Sequence, residues 1–146
     1  MGRELYSCKT QSETETFELG KKLSLKLKPG DTVSLEGDLG TGKTAMTKGI
    51  AAGMGITEPI TSPTFTLVNT YEGNATLHHF DVYRVDDADE LYTIGWEEYF
   101  DRDAITVVEW GDRFPELLPA NTLHIRISRD DENPENRILT FERQDL

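Results

Sequence analysis

Gly37-Asp-Leu-Gly40-Thr-Gly42-Lys43-Thr44 decides the reading of this chain. The stretch satisfies G-x-x-x-x-G-K-[ST] at every fixed position, the pattern of a cradle for a nucleoside triphosphate. Its spacing has a physical reason. Glycines let the main chain turn tightly and bring N–H groups against phosphate oxygens. A helix that starts where the loop ends points its positive end at the same anion. Lys43 then reaches the β- and γ-phosphates, and the Thr44 hydroxyl ligates Mg²⁺. The candidate nucleotide contacts are Gly37, Asp38, Leu39, Gly40, Thr41, Gly42, Lys43 and Thr44, with Ala45 directly after them.

The flanks agree. Asp31–Glu36 alternates and is rich in β-branched residues, so it reads as a strand. Met46, Ile50 and Met54 recur every four residues and mark one face of a helix that Gly53 and Gly55 would end. Strand, glycine loop, helix is the order a phosphate-binding loop requires.

Composition sets the bounds. The chain has 146 residues, enough for one domain over residues 1–146 with a real core. Apolar residues are 36% and charged residues 29%, the balance of a soluble globular protein. No apolar run is long enough to span a bilayer, and the N-terminus lacks the apolar core of a signal peptide. The lone Cys8 has no internal disulfide partner, so a reducing cytoplasm is expected. Net charge is −12, with 15 Lys and Arg scattered among 27 acids and no basic stripe. Nucleic-acid affinity comes mostly from cations meeting phosphates, so direct RNA or DNA binding is not expected.

Outside the loop, Ser12 to Glu15 forms a capping box, and Leu19, Leu23 and Leu27 mark a first helix that Pro29-Gly30 stops. Residues 57–64, with Pro59 and Pro63, read as loop. Residues 65–71 and 75–80 read as a β-hairpin around Glu72-Gly73-Asn74. Residues 85–100 read as helical, interrupted near Gly95 and capped by Asp86 or Asp87. Residues 104–108 are almost continuously apolar, the mark of a strand buried on both faces. A short helix is expected over residues 113–118, then an antiparallel hairpin of residues 123–127 and 137–142. Helices come early and strands late. The predicted class is therefore α/β, a P-loop NTPase-like, three-layer fold whose mixed, partly antiparallel sheet is flanked by helices.

A bound Mg²⁺ takes one or two carboxylates besides phosphate and water oxygens. P-loop proteins supply such an acid at the end of an apolar strand. Two strands end this way, in Glu109 and in Asp81. Glu109 is preferred as the metal acid because its strand is the more apolar. Asp81 could hold a metal-bound water, orient the attacking water or contact Thr44. Thr64, in Ser62-Pro63-Thr64, could offer its hydroxyl or carbonyl to metal or water; a rigid proline turn is the plainer alternative. Trp110 covers the site or a partner interface, or belongs to the core. His78 and His79 are adjacent in a strand and so face opposite ways, a poor geometry for one metal. Arg84 either pairs with Asp81, touches phosphate or stays in solvent.

Four blocks occur in order and at characteristic spacing: residues 37–44, Ser62-Pro-Thr-Phe-Thr-Leu-Val68, His79-Phe-Asp-Val-Tyr-Arg84 and Val108-Glu-Trp110. Together they resemble the TsaE (YjeE) family of small bacterial ATPases in tRNA threonylcarbamoyladenosine synthesis, over about residues 12–142. The resemblance implies an accessory ATPase that binds ATP or ADP with Mg²⁺ and works with a TsaB–TsaD heterodimer. That pair modifies adenosine 37 of tRNAs reading ANN codons, so tRNA is met only indirectly. It also implies Thr44 and Glu109 as metal ligands, Lys43 on the phosphates, Asp81 in hydrolysis, and residues 62–65 as a switch-like loop. Nucleotide contacts near Glu13 and Asn133 are implied as well. A small-molecule or nucleotide kinase would use the same loop but needs an acceptor pocket and usually an Arg-bearing lid. No Asn-Lys-x-Asp for guanine is present, so adenine is expected.

Overall fold

A computed structural model describes residues 4–143 except 39, 64, 65 and 101. A seven-stranded sheet runs in the order β1-β7-β6-β2-β5-β4-β3. Its strands are β1 (Glu4–Thr10), β2 (Thr32–Glu36), β3 (Val68–Glu72), β4 (Thr76–Asp81), β5 (Ala104–Glu109), β6 (Leu123–Arg129) and β7 (Arg137–Arg143). The middle four, β6-β2-β5-β4, are mutually parallel. The outer β3, β7 and β1 pair antiparallel. The sheet is thus mixed, as expected, and β2 and β5 are buried along their whole length.

Helices cover both faces. On one face lie α1 (Glu13–Ser24) and α2 (Lys43–Gly53), on the other α3 (Ala88–Thr93) and short 3-10 turns. Ser12 caps α1 by accepting from the Glu15 amide at 3.1 Å. The α2 face is driven home by Met46, Ile50 and Ala51, which bury against Val33, Leu35, Ile105, Val107 and Ile125. Burying each of the larger side chains contributes about 1.5–3 kcal/mol. The opposite face packs Phe80, Val108, Leu91 and Trp96. Helices α1 and α2 touch backbone to backbone. A Cβ on Gly49 would lie 2.1 Å from the Phe17 carbonyl oxygen, and one on Gly20 would lie 2.6 Å from that of Met46.

Several expected boundaries shift. The first strand, β1, was not anticipated. The helix expected over 85–100 is α3 plus a 3-10 turn at Trp96–Tyr99, broken at Gly95, with Asp87 as its cap. The helix expected over 113–118 is two 3-10 turns, Gly111–Arg113 and Pro115–Leu117, because Pro115 interrupts the amide ladder. The hairpin strand expected from residue 65 begins at Val68, since Leu67 takes a left-handed conformation with φ of 69°. Nor are the basic residues fully scattered: Lys21, Lys22, Lys26 and Lys28 are exposed together around an exposed Leu25. Among the described residues no helix is long and apolar enough to cross a membrane.

On the opposite, α3 face of the sheet, Glu36 is buried in a polar knot. Its Oε2 accepts from Ser34 Oγ at 3.0 Å and lies 2.7 Å from His124 Nδ1.

Candidate active site

The pleat of three parallel strands builds one end of the site. Val33 and Leu35 of β2 lie in register with Val107 and Glu109 of β5, and His79 and Asp81 of β4 with the same two residues. Period-2 alternation therefore sends Leu35, His79, Asp81 and Glu109 to the face that carries α2. The chain leaves β2 through the glycine loop and enters α2 directly above them. At Gly37, φ is 133° and a Cβ would stand 2.1 Å from the Ile127 carbonyl oxygen, so only glycine lets the loop pass β6 here. Gly42 is the N-cap of α2 and offers no side chain to its first amides; nor does the first turn carry an acid. The helix start is left for an external acceptor.

A cavity of about 600 Å³ opens at this place. Its lining includes Glu13, Gly40, Gly42, Lys43, Thr44 and Ala45 from the helix starts and loop, and Asp81, Glu109 and Trp110 from the strand ends. The size suits a mononucleotide. Lys43 is buried, and its Nζ donates to the carbonyls of Gly37 at 2.9 Å and Asp38 at 2.7 Å. Burial lowers its pKa, while the nearby Glu109, Asp112 and Asp81 charges oppose that shift. Its ammonium also lies over the Trp110 ring, which leans on Tyr83. Thr44 is exposed toward the cavity. Asp81 is held above the ordinary aspartate range by burial, against the pull of the Tyr83 amide that donates to its Oδ1 at 3.0 Å. Ser62 Oγ lies 3.5 Å from its other oxygen.

Of the residues singled out in the sequence, Glu13, Gly40, Gly42, Lys43, Thr44, Ala45, Asp81 and Glu109 line one cavity, and Trp110 lines it with them. Thr41 is buried behind the loop, where its hydroxyl donates to the Asp38 carbonyl at 2.8 Å. Asn133 does not line the cavity; its side chain accepts from the Glu135 amide in a local turn. Leu39 and Thr64, with Phe65 of the switch-like loop, lie outside the described residues. Two residues were missed. Arg137 of β7 braces the loop from the side by donating from Nε to the Thr41 carbonyl at 3.0 Å. His79 lies against Glu109. Arg137 carries no local signal, and His79 stands at the head of the block His79-Phe-Asp-Val-Tyr-Arg84 without anything that announces Glu109, because each acts across a long chain separation.

The family model described as "Threonylcarbamoyl adenosine biosynthesis protein TsaE" matches residues 10–139. The chain belongs to the TsaE family. A Bacillus subtilis (strain 168) protein described as "tRNA threonylcarbamoyladenosine biosynthesis protein TsaE" is 45% identical over 136 residues, covering 91% of this chain and 82% of that protein. A Treponema pallidum (strain Nichols) protein with the same description is 41% identical over 120 residues, covering 82% of this chain and 89% of the relative. Among solved structures, that of Bacillus subtilis YdiB superposes with a TM-score of 0.83 at 36% identity, over 97% of this chain and 87% of that one. The TsaE family match spans the glycine loop, α2 and all four acid- and lysine-bearing positions of the cavity.

Proposed function

We propose that this chain is a cytoplasmic P-loop ATPase that binds ATP with Mg²⁺ and hydrolyses it in support of tRNA threonylcarbamoyladenosine synthesis, docked on a TsaB–TsaD pair. One observation carries the chemistry: Lys43, Thr44, Asp81 and Glu109 surround a single nucleotide-sized cavity at the carboxyl ends of parallel strands. Ligands of open α/β sheets bind at that edge. The family relatives' descriptions support the pathway.

The residues present fit a divalent ion carried by phosphate. Among the described residues no group of three or more His, Cys, Asp or Glu gathers as a metal cage. An ion here would rely on the Thr44 hydroxyl, the Glu109 carboxylate and phosphate oxygens, the habit of Mg²⁺. When bound, that ion would neutralise charge developing on the phosphoryl oxygens. The chain's own groups do the rest. The uncapped start of α2 offers amides to the phosphates. Lys43 leaves the loop carbonyls for them, exchanging two neutral acceptors for a charged one. Asp81, its proton affinity raised by burial, takes a hydrogen bond from the attacking water and orients it toward the terminal phosphorus. Trp110 and Tyr83 shield one side from solvent.

The test is calorimetry of ATP with Mg²⁺, followed by phosphate release with and without purified TsaB–TsaD. Uptake of ATP and release of inorganic phosphate, faster with the pair, is expected. Transfer of phosphate to a metabolite would favour the kinase reading, and no uptake of any adenine nucleotide would end both.

A further inference from the structure

Strand β4 carries two histidines, and the pleat separates them. His78 faces Thr70, its Nδ1 2.9 Å from Oγ1, and the Tyr99 ring. His79 turns to the opposite face and is fully buried. Its Nε2 lies 2.5 Å from Glu109 Oε2. Its Nδ1 is buried with no hydrogen-bond partner among the described residues. That asymmetry places the proton. A buried N–H without an acceptor is rarer and costlier than an unshared lone pair. The ring is therefore the Nε2–H form, donating to the carboxylate, with Nδ1 bare.

Among the described residues the other hydrogen-bond contact of Glu109 is weaker. Thr47 Oγ1 donates to the Lys43 carbonyl at 3.0 Å and lies 3.5 Å from Oε2. Both contacts fall on Oε2; Oε1 takes neither. Glu109 is 4% exposed, so water alone cannot fix its side chain.

We propose that His79 is a positioning residue for the phosphoryl-transfer site: its Nε2–H fixes Oε2 of Glu109 and leaves Oε1 as the oxygen that meets a divalent cation brought in with the nucleotide. This rests on the reading of Glu109 as the metal acid. It follows the general rule that a carboxylate ligand is itself held by outer hydrogen bonds.

Three variants separate these roles. In His79→Gln the amide nitrogen sits far enough out to replace Nε2. In His79→Asn it reaches only the place of Nδ1. His79→Ala removes both. Mn²⁺ is titrated into protein saturated with a non-hydrolysable ATP analogue, read as loss of the free-ion paramagnetic resonance signal. His79→Ala and His79→Asn should weaken ion uptake by about 10- to 100-fold, and His79→Gln should recover most of it. Metal-free analogue binding should stay unchanged throughout. Nitrogen-15 spectra of the wild-type ring should show Nε2–H and bare Nδ1. Equal ion uptake by the Gln and Asn variants, or an Nδ1–H ring, overturns the inference. Should the alanine variant not fold, the Gln–Asn comparison alone decides. A wild-type protein that takes up no analogue removes the proposed function together with this inference, whereas wild-type uptake with equal Gln and Asn variants removes only this one.

Discussion

Lys43 holds its ammonium 4.1 Å from the centroid of the Trp110 indole, and Trp110 itself takes a left-handed backbone conformation with φ of 68°. For a non-glycine residue that conformation is strained, and such strain gathers at functional sites. The same ammonium is bonded to two loop carbonyls. On the proposed reading, a phosphate in the cavity would draw the ammonium off these carbonyls and away from the indole. The chain has two tryptophans, and the other, Trp96, is buried in the opposite cluster. In a Trp96→Phe background, ATP with Mg²⁺ should change Trp110 emission. Lys43→Ala should abolish both that response and nucleotide uptake. A fluorescence titration decides; an intact response without Lys43 would remove the lysine from the phosphate site.

Glu109→Gln keeps the shape of the side chain but gives up its charge. The loop amides and Lys43 still meet the phosphates, so nucleotide should bind within a few-fold of wild type. Phosphate release should fall about 100- to 1,000-fold, the usual cost of one preorganised charge-stabilising group. Wild-type turnover would exclude the acid from the mechanism.

Asp81 gives a pH signature. Its folded-state pKa is raised, chiefly by burial. The folded protein then holds a proton that the unfolded chain would release, so this group costs stability as pH rises past the ordinary aspartate value. Asp81→Asn should therefore melt higher than wild type near neutrality, with the difference closing in acid. Turnover should move the other way and collapse in the variant. Calorimetric melting of nucleotide-free protein across pH checks the first half. A variant that melts lower at every pH would contradict it.

His124 works in the opposite sense. The Glu36 hydrogen bond raises its pKa. Its contribution is present in full below the ordinary histidine value and is lost as pH climbs through the raised one. The melting gap between wild type and His124→Gln should be widest near pH 6, below the ordinary histidine value, and narrow in mild alkali. A gap independent of pH would mean that packing alone links the two residues.

Much of this was written locally. The β2–loop–α2 unit was legible because glycine placement, strand alternation and a four-residue apolar repeat all lie within about two dozen neighbouring residues. Glu109 was legible because an apolar run ended in an acid. Strand β1 was not: Glu4–Thr10 carries a weak pattern and becomes a strand by pairing with β7 at the far end of the chain. The insertion of β6 beside β2 is equally nonlocal. His79 looked like one of a mismatched pair, since nothing near it in sequence announces Glu109, 30 residues on. The 3-10 turns replaced longer helices where Gly95 and Pro115 outweighed the surrounding propensity.

The bare contact of Gly20 with Gly49 has a mechanical meaning. Two helices whose main chains abut have no intervening side chains to act as bearings, so α1 and α2 cannot slide past one another without collision. Glu13 and the phosphate loop are thereby set at a constant separation at one end of a stiff block.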